Sequence, residues 1–164
     1  MRRRTFFTIT AGGVIALTIG ALGWRRLARP VPARARANAQ LVLRAVIPAL
    51  LAGVLPSETA AAEAACGQAL QRTLQAIDGL PPATRAELDE LFSLLASPVG
   101  RWLIALDWAR AQPAHVARLL QRWRHSPVRP FVAAYQALHD LVLGSWYADP
   151  TTWYGIGYPG PIRL

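Results

Sequence analysis

The residue types that most often carry chemistry are sparse in this chain of 164 residues, and they do not converge. His115, His125 and His139 are its three histidines, and no H-x-x-x-H or similar spacing joins them into a local metal set. Glu87, Asp89 and Glu90 form a dense acidic group, but they follow a helix start. Carboxylates there answer the dipole of the first turn, which accounts for them better than a paired acid and base. His139 and Asp140 are neighbours, and consecutive side chains on a helix are expected to diverge. Gly155-x-Gly157 is followed by Pro159 rather than a helix, so it is not a dinucleotide loop, and no phosphate-binding loop motif occurs. Cys66 is the single cysteine, which excludes an internal disulfide; the lack of C-x-x-C-H excludes a c-type haem attachment. Its helical spacing with Leu70, Leu74 and Ile77 makes it a small core residue. No catalytic, cofactor-binding or metal-ligating residue is assigned, and the chain is not expected to catalyse alone.

The distinctive chemistry lies at the N-terminus. Residues 1–24 open with Arg2-Arg3-Arg4, continue with Thr5-Phe6-Phe7, and run on as an apolar span softened by Gly12, Gly13, Gly20 and Gly23. A cationic start before an apolar span is an export signal or an anchor before it is a piece of fold. As a helix, residues 6–24 reach about 28 Å, enough to cross a hydrocarbon core, so length does not separate the two. The order Arg3-Arg4-x-Phe6-Phe7 resembles the twin-arginine signal, which exports proteins already folded. Arg25, Arg26, Arg29, Arg34 and Arg36 follow the span. A cationic trailing flank opposes ordinary insertion with the N-terminus inside, whereas twin-arginine signals tolerate one. An anchor with its N-terminus outside also fits. Ala33-x-Ala35 and Ala35-x-Ala37 offer the small residues a signal peptidase needs.

The formal net charge of +9 has the same origin. Eight of the 18 basic residues fall at or before Arg36 with no acid among them, and from Asn38 onward ten arginines face nine acids. Nucleic-acid binding through counterion release needs clustered cations, so the near-neutral remainder argues against it.

The rest reads as helices. In residues 38–55, Leu41, Ala45, Pro48, Leu51 and Leu55 recur on one side, with a kink expected at Pro48. A second helix, capped by Ser57 and Glu58, runs to Ile77 and stops at Asp78-Gly79. Thr84-x-x-Glu87 is a capping box, and Leu88, Leu91, Phe92 and Leu95 follow at i, i+3, i+4 and i+7. Ser97-Pro98 opens a helix carrying Trp102, Leu103, Leu106 and Ala109. After Pro113 come Val116, Leu119, Leu120 and Trp123. Ser126-Pro127 starts the last helix, with Phe131, Tyr135, Leu138 and Val142 inward. Nothing alternates with a period of two. The expected fold is all-α: a bundle of five to six helices over residues 38–147, after a signal or anchor plus linker in residues 1–37.

Residues 148–164 change character. From Trp146 to Pro161, aromatic residues are packed among glycines and prolines that favour turns and extended chain. An apolar tail must bury itself on its own bundle or on another protein, and Tyr and Trp beside rigid prolines suit an interface.

The twin-arginine start, the segments RAELDELFSLLASP and LLQRWRHS, and the ending LVLGSWYADPTTWYGIGYPGP together resemble a family of small proteins encoded beside FAD-dependent dehydrogenases. These are the small, or gamma, subunits of periplasmic and membrane-associated gluconate, sorbitol, fructose and glucose dehydrogenases of the GMC flavoprotein type. The resemblance covers most of the chain, and its sharpest motif is W-Y-A-D-P-x-x-W-x-x-I-G-Y-P-G-P. It implies that FAD and catalysis belong to a large partner subunit and that this chain holds no cofactor. The small subunit would escort the folded flavoprotein through the Tat translocase to the periplasm, staying at the inner membrane where its signal is uncut. Arg3, Arg4, Phe6 and Phe7 would form the signal, and Trp146, Tyr147, Trp153, Ile156 and Tyr158 the contact with the dehydrogenase. The alternative is a membrane-anchored helical module that tethers a partner without exporting it.

Overall fold

A computed structural model describes residues 32–157. The helices are α1 (Pro32–Leu50), α2 (Thr59–Asp78), α3 (Pro82–Ala96), α4 (Pro98–Ile104), α5 (Pro113–Arg124) and α6 (Arg129–Tyr147), followed by a 3-10 helix, Pro150–Ile156. Among the described residues there is no strand, and this part of the chain is all-α as its periodicity predicts. No helix among them is long and apolar enough to cross a membrane. The export-signal residues Arg3, Arg4, Phe6 and Phe7 lie outside the described residues, as does Tyr158.

Helix α1 is the centre of the bundle and packs against α2, α3, α5 and α6. Its Ala35, Ala39, Val42, Leu43, Val46 and Ile47 are all buried, an apolar face wide enough to meet neighbours on several sides. Each large side chain removed from water there contributes about 1.5–3 kcal/mol before the entropy of ordering it is subtracted. The remaining contacts pair α2 with α6 and α5 with α6, while α4 packs chiefly on α3.

Several local expectations are corrected. Helix α1 starts at Pro32, inside the stretch expected to be linker. Ala35 is buried and Arg36 pairs with Asp78 at 2.7 Å, so cutting beside Ala35 or Ala37 would remove helical chain. Pro48 lies inside the helix, which ends two residues later at Leu50. Leu41, Pro48 and Leu55 are only half-buried, because the face that meets other helices is the one through Val42 and Ile47. The Thr84–Glu87 capping box does not form: α3 begins earlier, at Pro82, with Pro81 as its N-cap and the Pro81 carbonyl accepting from the Arg85 amide at 3.0 Å. Proline's fixed φ is already helical, and it sets the start ahead of the hydroxyl. Neither Ser57 nor Glu58 supplies a side-chain cap to α2. Gly79 does stop α2, but with φ −81° rather than a left-handed turn.

The junction of α3 and α4 is tightly built. Ser97 closes α3 and opens α4, its hydroxyl donating to the Leu94 carbonyl at 2.7 Å and accepting from the Gly100 amide at 2.9 Å. The chain reverses so sharply that a Cβ on Gly100 would collide with the Leu94 carbonyl oxygen and approach its carbon to 2.9 Å. The break also deprives the Leu95 carbonyl of a helical donor, and the buried Trp108 indole N–H takes that role at 2.9 Å. Gly100→Ala is expected to cost about 2–4 kcal/mol, since the obstacle is backbone that cannot swing aside. Gly67→Ala, at an open position inside α2, should instead add about 0.5–1 kcal/mol. Urea unfolding midpoints of the two variants, moving in opposite directions, check the pair.

Candidate functional site

The aromatic C-terminal motif builds a cap for α6. Past Tyr147, Asp149 turns the chain by accepting the Thr151 amide on its carboxylate at 2.8 Å, and Pro150 opens the 3-10 helix. Two side chains then return to the carbonyls left open at the end of α6. The Thr152 hydroxyl is 3.1 Å from the Trp146 oxygen, and the Trp153 indole N–H donates to the Tyr147 oxygen at 2.8 Å. The assembly is fixed to α2 by an Arg72–Asp149 ion pair and by the Thr73 and Ser145 hydroxyls, 2.7 Å apart. The Asp149 carboxyl is held below its ordinary range by the Thr151 backbone bond first, then by the Thr151 hydroxyl and Arg72.

This geometry separates the residues expected to touch a partner. Trp146 is only 7% exposed and belongs to the chain's own core, so its assignment as a surface anchor is corrected. The residue falls on the inward stripe of α6 with Leu138 and Val142. Tyr147 packs partly against that core, and Trp153 is partly buried. Ile156 ends the 3-10 helix. The expectation of extended chain from residue 148 is corrected over Pro150–Ile156, because threonine, aspartate and indole groups satisfy a tight 3-10 turn.

The exposed apolar surface is elsewhere. Trp102 is 81% exposed, Leu103 60% and Val99 57%, all on the seven-residue α4. The sequence pattern puts Trp102 and Leu103 on an inward stripe continuing to Leu106 and Ala109. The helix does not run that far. Ala105 turns left-handed at φ 52°, the Leu106 amide bonds back to the Arg101 carbonyl at 3.1 Å, and Trp108 becomes the buried tryptophan. Gly100 and Ile104 face α3, which leaves Val99, Trp102 and Leu103 to solvent. Alanine at the left-handed position gives no glycine or asparagine signal of a stop, so periodicity alone misplaces these residues.

Titratable groups form no second centre. Among the described residues no cluster of His, Cys, Asp and Glu is arranged to hold a metal. Cys66 is half-buried in a shallow groove of about 270 Å³ with Arg44, Ile47, Gly67, Leu70 and Gln71. Burial, reinforced by Glu63, pushes its thiol up, away from the reactive thiolate. His139 and Asp140 do not diverge: Nδ1 lies 3.0 Å from the Asp140 carboxylate, and the ring also sits 5.4 Å from that of Tyr135, one turn back.

No family model, curated protein or solved structure matches this chain. The candidate site therefore rests on geometry: an α4 face of three large exposed apolar side chains, and an α6 end whose aromatic residues are partly committed to capping.

Because the folded state lowers the Asp149 pKa, its contribution is complete above the ordinary carboxylate value of 3.8 and is lost as pH falls through the lower folded value. The 3-10 helix should thus loosen at acid pH before the bundle unfolds, read as faster proteolysis after Tyr147. Asp149→Asn should show that faster cleavage already at neutral pH and lose its acid dependence.

Proposed function

We propose that this chain is a non-catalytic small subunit that binds a folded, FAD-dependent dehydrogenase of the GMC type and escorts it to the periplasm by the twin-arginine route. FAD belongs to the partner in this reading. Loading it in the cytoplasm requires folding before export, so one signal on a tightly bound companion serves both chains. The observation that carries the reading is the solvent-facing trio Val99, Trp102 and Leu103. A tryptophan that exposed, flanked by two aliphatic residues, is costly to leave in water and belongs to the residue type that dominates binding hot spots. The Arg3-Arg4-x-Phe6-Phe7 order and the C-terminal motif support the same reading by resemblance. Contact is reassigned accordingly: α4 supplies the anchor, Tyr147, Trp153, Ile156 and Tyr158 contribute at the other end, and Trp146 supports them from inside the bundle.

Two experiments test separate halves of the proposal. Arg3→Lys with Arg4→Lys should strand an active, signal-less flavoprotein in the cytoplasm; its continued arrival in the periplasm would sink the export half. Trp102→Ser with Leu103→Ser should leave the unfolding free energy within about 0.5 kcal/mol, since both side chains face solvent. The same double change should weaken recovery of the flavoprotein by at least about thirtyfold, as expected for losing one hot-spot residue and its neighbour. Undiminished recovery would remove α4 from the interface.

A further inference from the structure

Overall neutrality beyond Asn38 conceals a segregated charge. Between Trp108 and His139 the sequence places five arginines and no acid. Helix α5 buries Val116, Leu119, Leu120 and Trp123, which leaves Arg118, Arg122 and His125, at i, i+4 and i+7, along its solvent side. Arg124 and Arg129 are exposed on either side of the turn into α6. None of these arginines is ion-paired among the described residues. The Trp123 and Phe131 rings stack across the turn at 5.8 Å.

Local stability does not explain this arrangement. The dipole at the end of α5 favours Arg122 and Arg124, but it does not reach Arg118 in the middle of the helix. Arg118 and Arg122 repel one another at i, i+4. Arg129 stands in the first turn of α6, where a cation opposes the dipole, and no acid accompanies it. The N-cap of α6 is Val128, a poor cap, and its side chain is 49% exposed between Arg124 and Arg129. Several positions on one stretch that break local rules without internal compensation mark a surface shaped for something outside the chain.

We propose that this α5–α6 edge docks on an anionic lipid surface, with Arg118, Arg122, Arg124 and Arg129 on the phosphates and Val128 entering the headgroup layer. An isopropyl group set among arginines suits that boundary, where charge and apolar contact are offered at adjacent depths. It has no use on a nucleic-acid backbone. The chain also carries its own means of approach. With the apolar span of residues 6–24 in a bilayer, residues 25–31 reach about 25 Å before α1 begins, close to the length of α1 itself. Such a tether keeps any edge of a domain one helix tall within range and raises its effective concentration at the surface. The proposal is independent of which cargo the chain carries.

The test uses the complete chain reconstituted through its own N-terminus, with Cys66→Ser and Gln121→Cys carrying a donor dye on the exposed side of α5. Energy transfer to an acceptor-labelled lipid is read in vesicles of phosphatidylcholine alone and in vesicles with about one-third phosphatidylglycerol. Transfer is expected to rise severalfold with the anionic lipid and to collapse near 0.5 M salt, where screening is nearly complete. It should be lost when all four arginines are changed to Gln, with the circular dichroism spectrum retained. Equal transfer in both vesicles, or transfer indifferent to salt, overturns the proposal. So does a four-Gln variant that keeps its lipid signal but no longer recovers the flavoprotein, which would make the edge a protein interface.

Discussion

Burial of the broad apolar face of α1 is the constraint on which the other elements depend. Val42, Leu43, Val46 and Ile47 are buried and leave only the Arg44 side of that turn to solvent, so four other helices must be brought against it. Small residues at Ala35, Ala39 and Ala45 let those neighbours approach closely along the rest of the helix. The packing is centred on one helix: α2 and α3 each return along α1, and α5 and α6 close further sides. Helix α4, attached chiefly to α3, is left outside this arrangement, and for that reason its apolar residues stay in solvent.

The ends of the helices follow a second rule, that a broken ladder must find donors. At two breaks an indole N–H supplies one. Trp108 reaches back to the Leu95 carbonyl where α3 gives way to α4, and Trp153 reaches the Tyr147 carbonyl where α6 ends. The aromatic richness of the C-terminal motif is thus partly structural, since Trp146 fills the core and Trp153 satisfies a backbone carbonyl. Aspartate and threonine complete the second cap, which explains why the motif joins a carboxylate, a proline, two threonines and a tryptophan in one short run.

Charge is distributed on a larger scale than either device. Asp78, Glu87, Asp89 and Glu90 fall at the end of α2 and on α3, whereas the arginines of α5 and the first turn of α6 have no acidic neighbours in sequence. Arg36 and Arg72 are answered by Asp78 and Asp149 and serve the fold. The unanswered arginines are exposed on α5 and in the first turn of α6, free to face a partner or a surface.

What the amino-acid order determined by itself is the existence and type of each helix. Spacing near 3.6 with proline and glycine punctuation acts within a few residues, and Leu88, Leu91, Phe92 and Leu95, like Val116, Leu119, Leu120 and Trp123, are buried as that spacing requires. The Ser97-Pro98 start is equally local, because the hydroxyl and the amide it caps are three residues apart. Only the tertiary structure decided which apolar stripe is core. Trp102 has the same spacing credentials as Trp123, yet it is exposed because Ala105 adopts a left-handed turn and α4 packs chiefly on α3 alone among the described helices. Trp146 is the converse: it sits beside turn-forming residues but belongs to the buried core that several helices build together. Burial is a property of neighbours distant in the chain, and periodicity carries no information about whether those neighbours arrive.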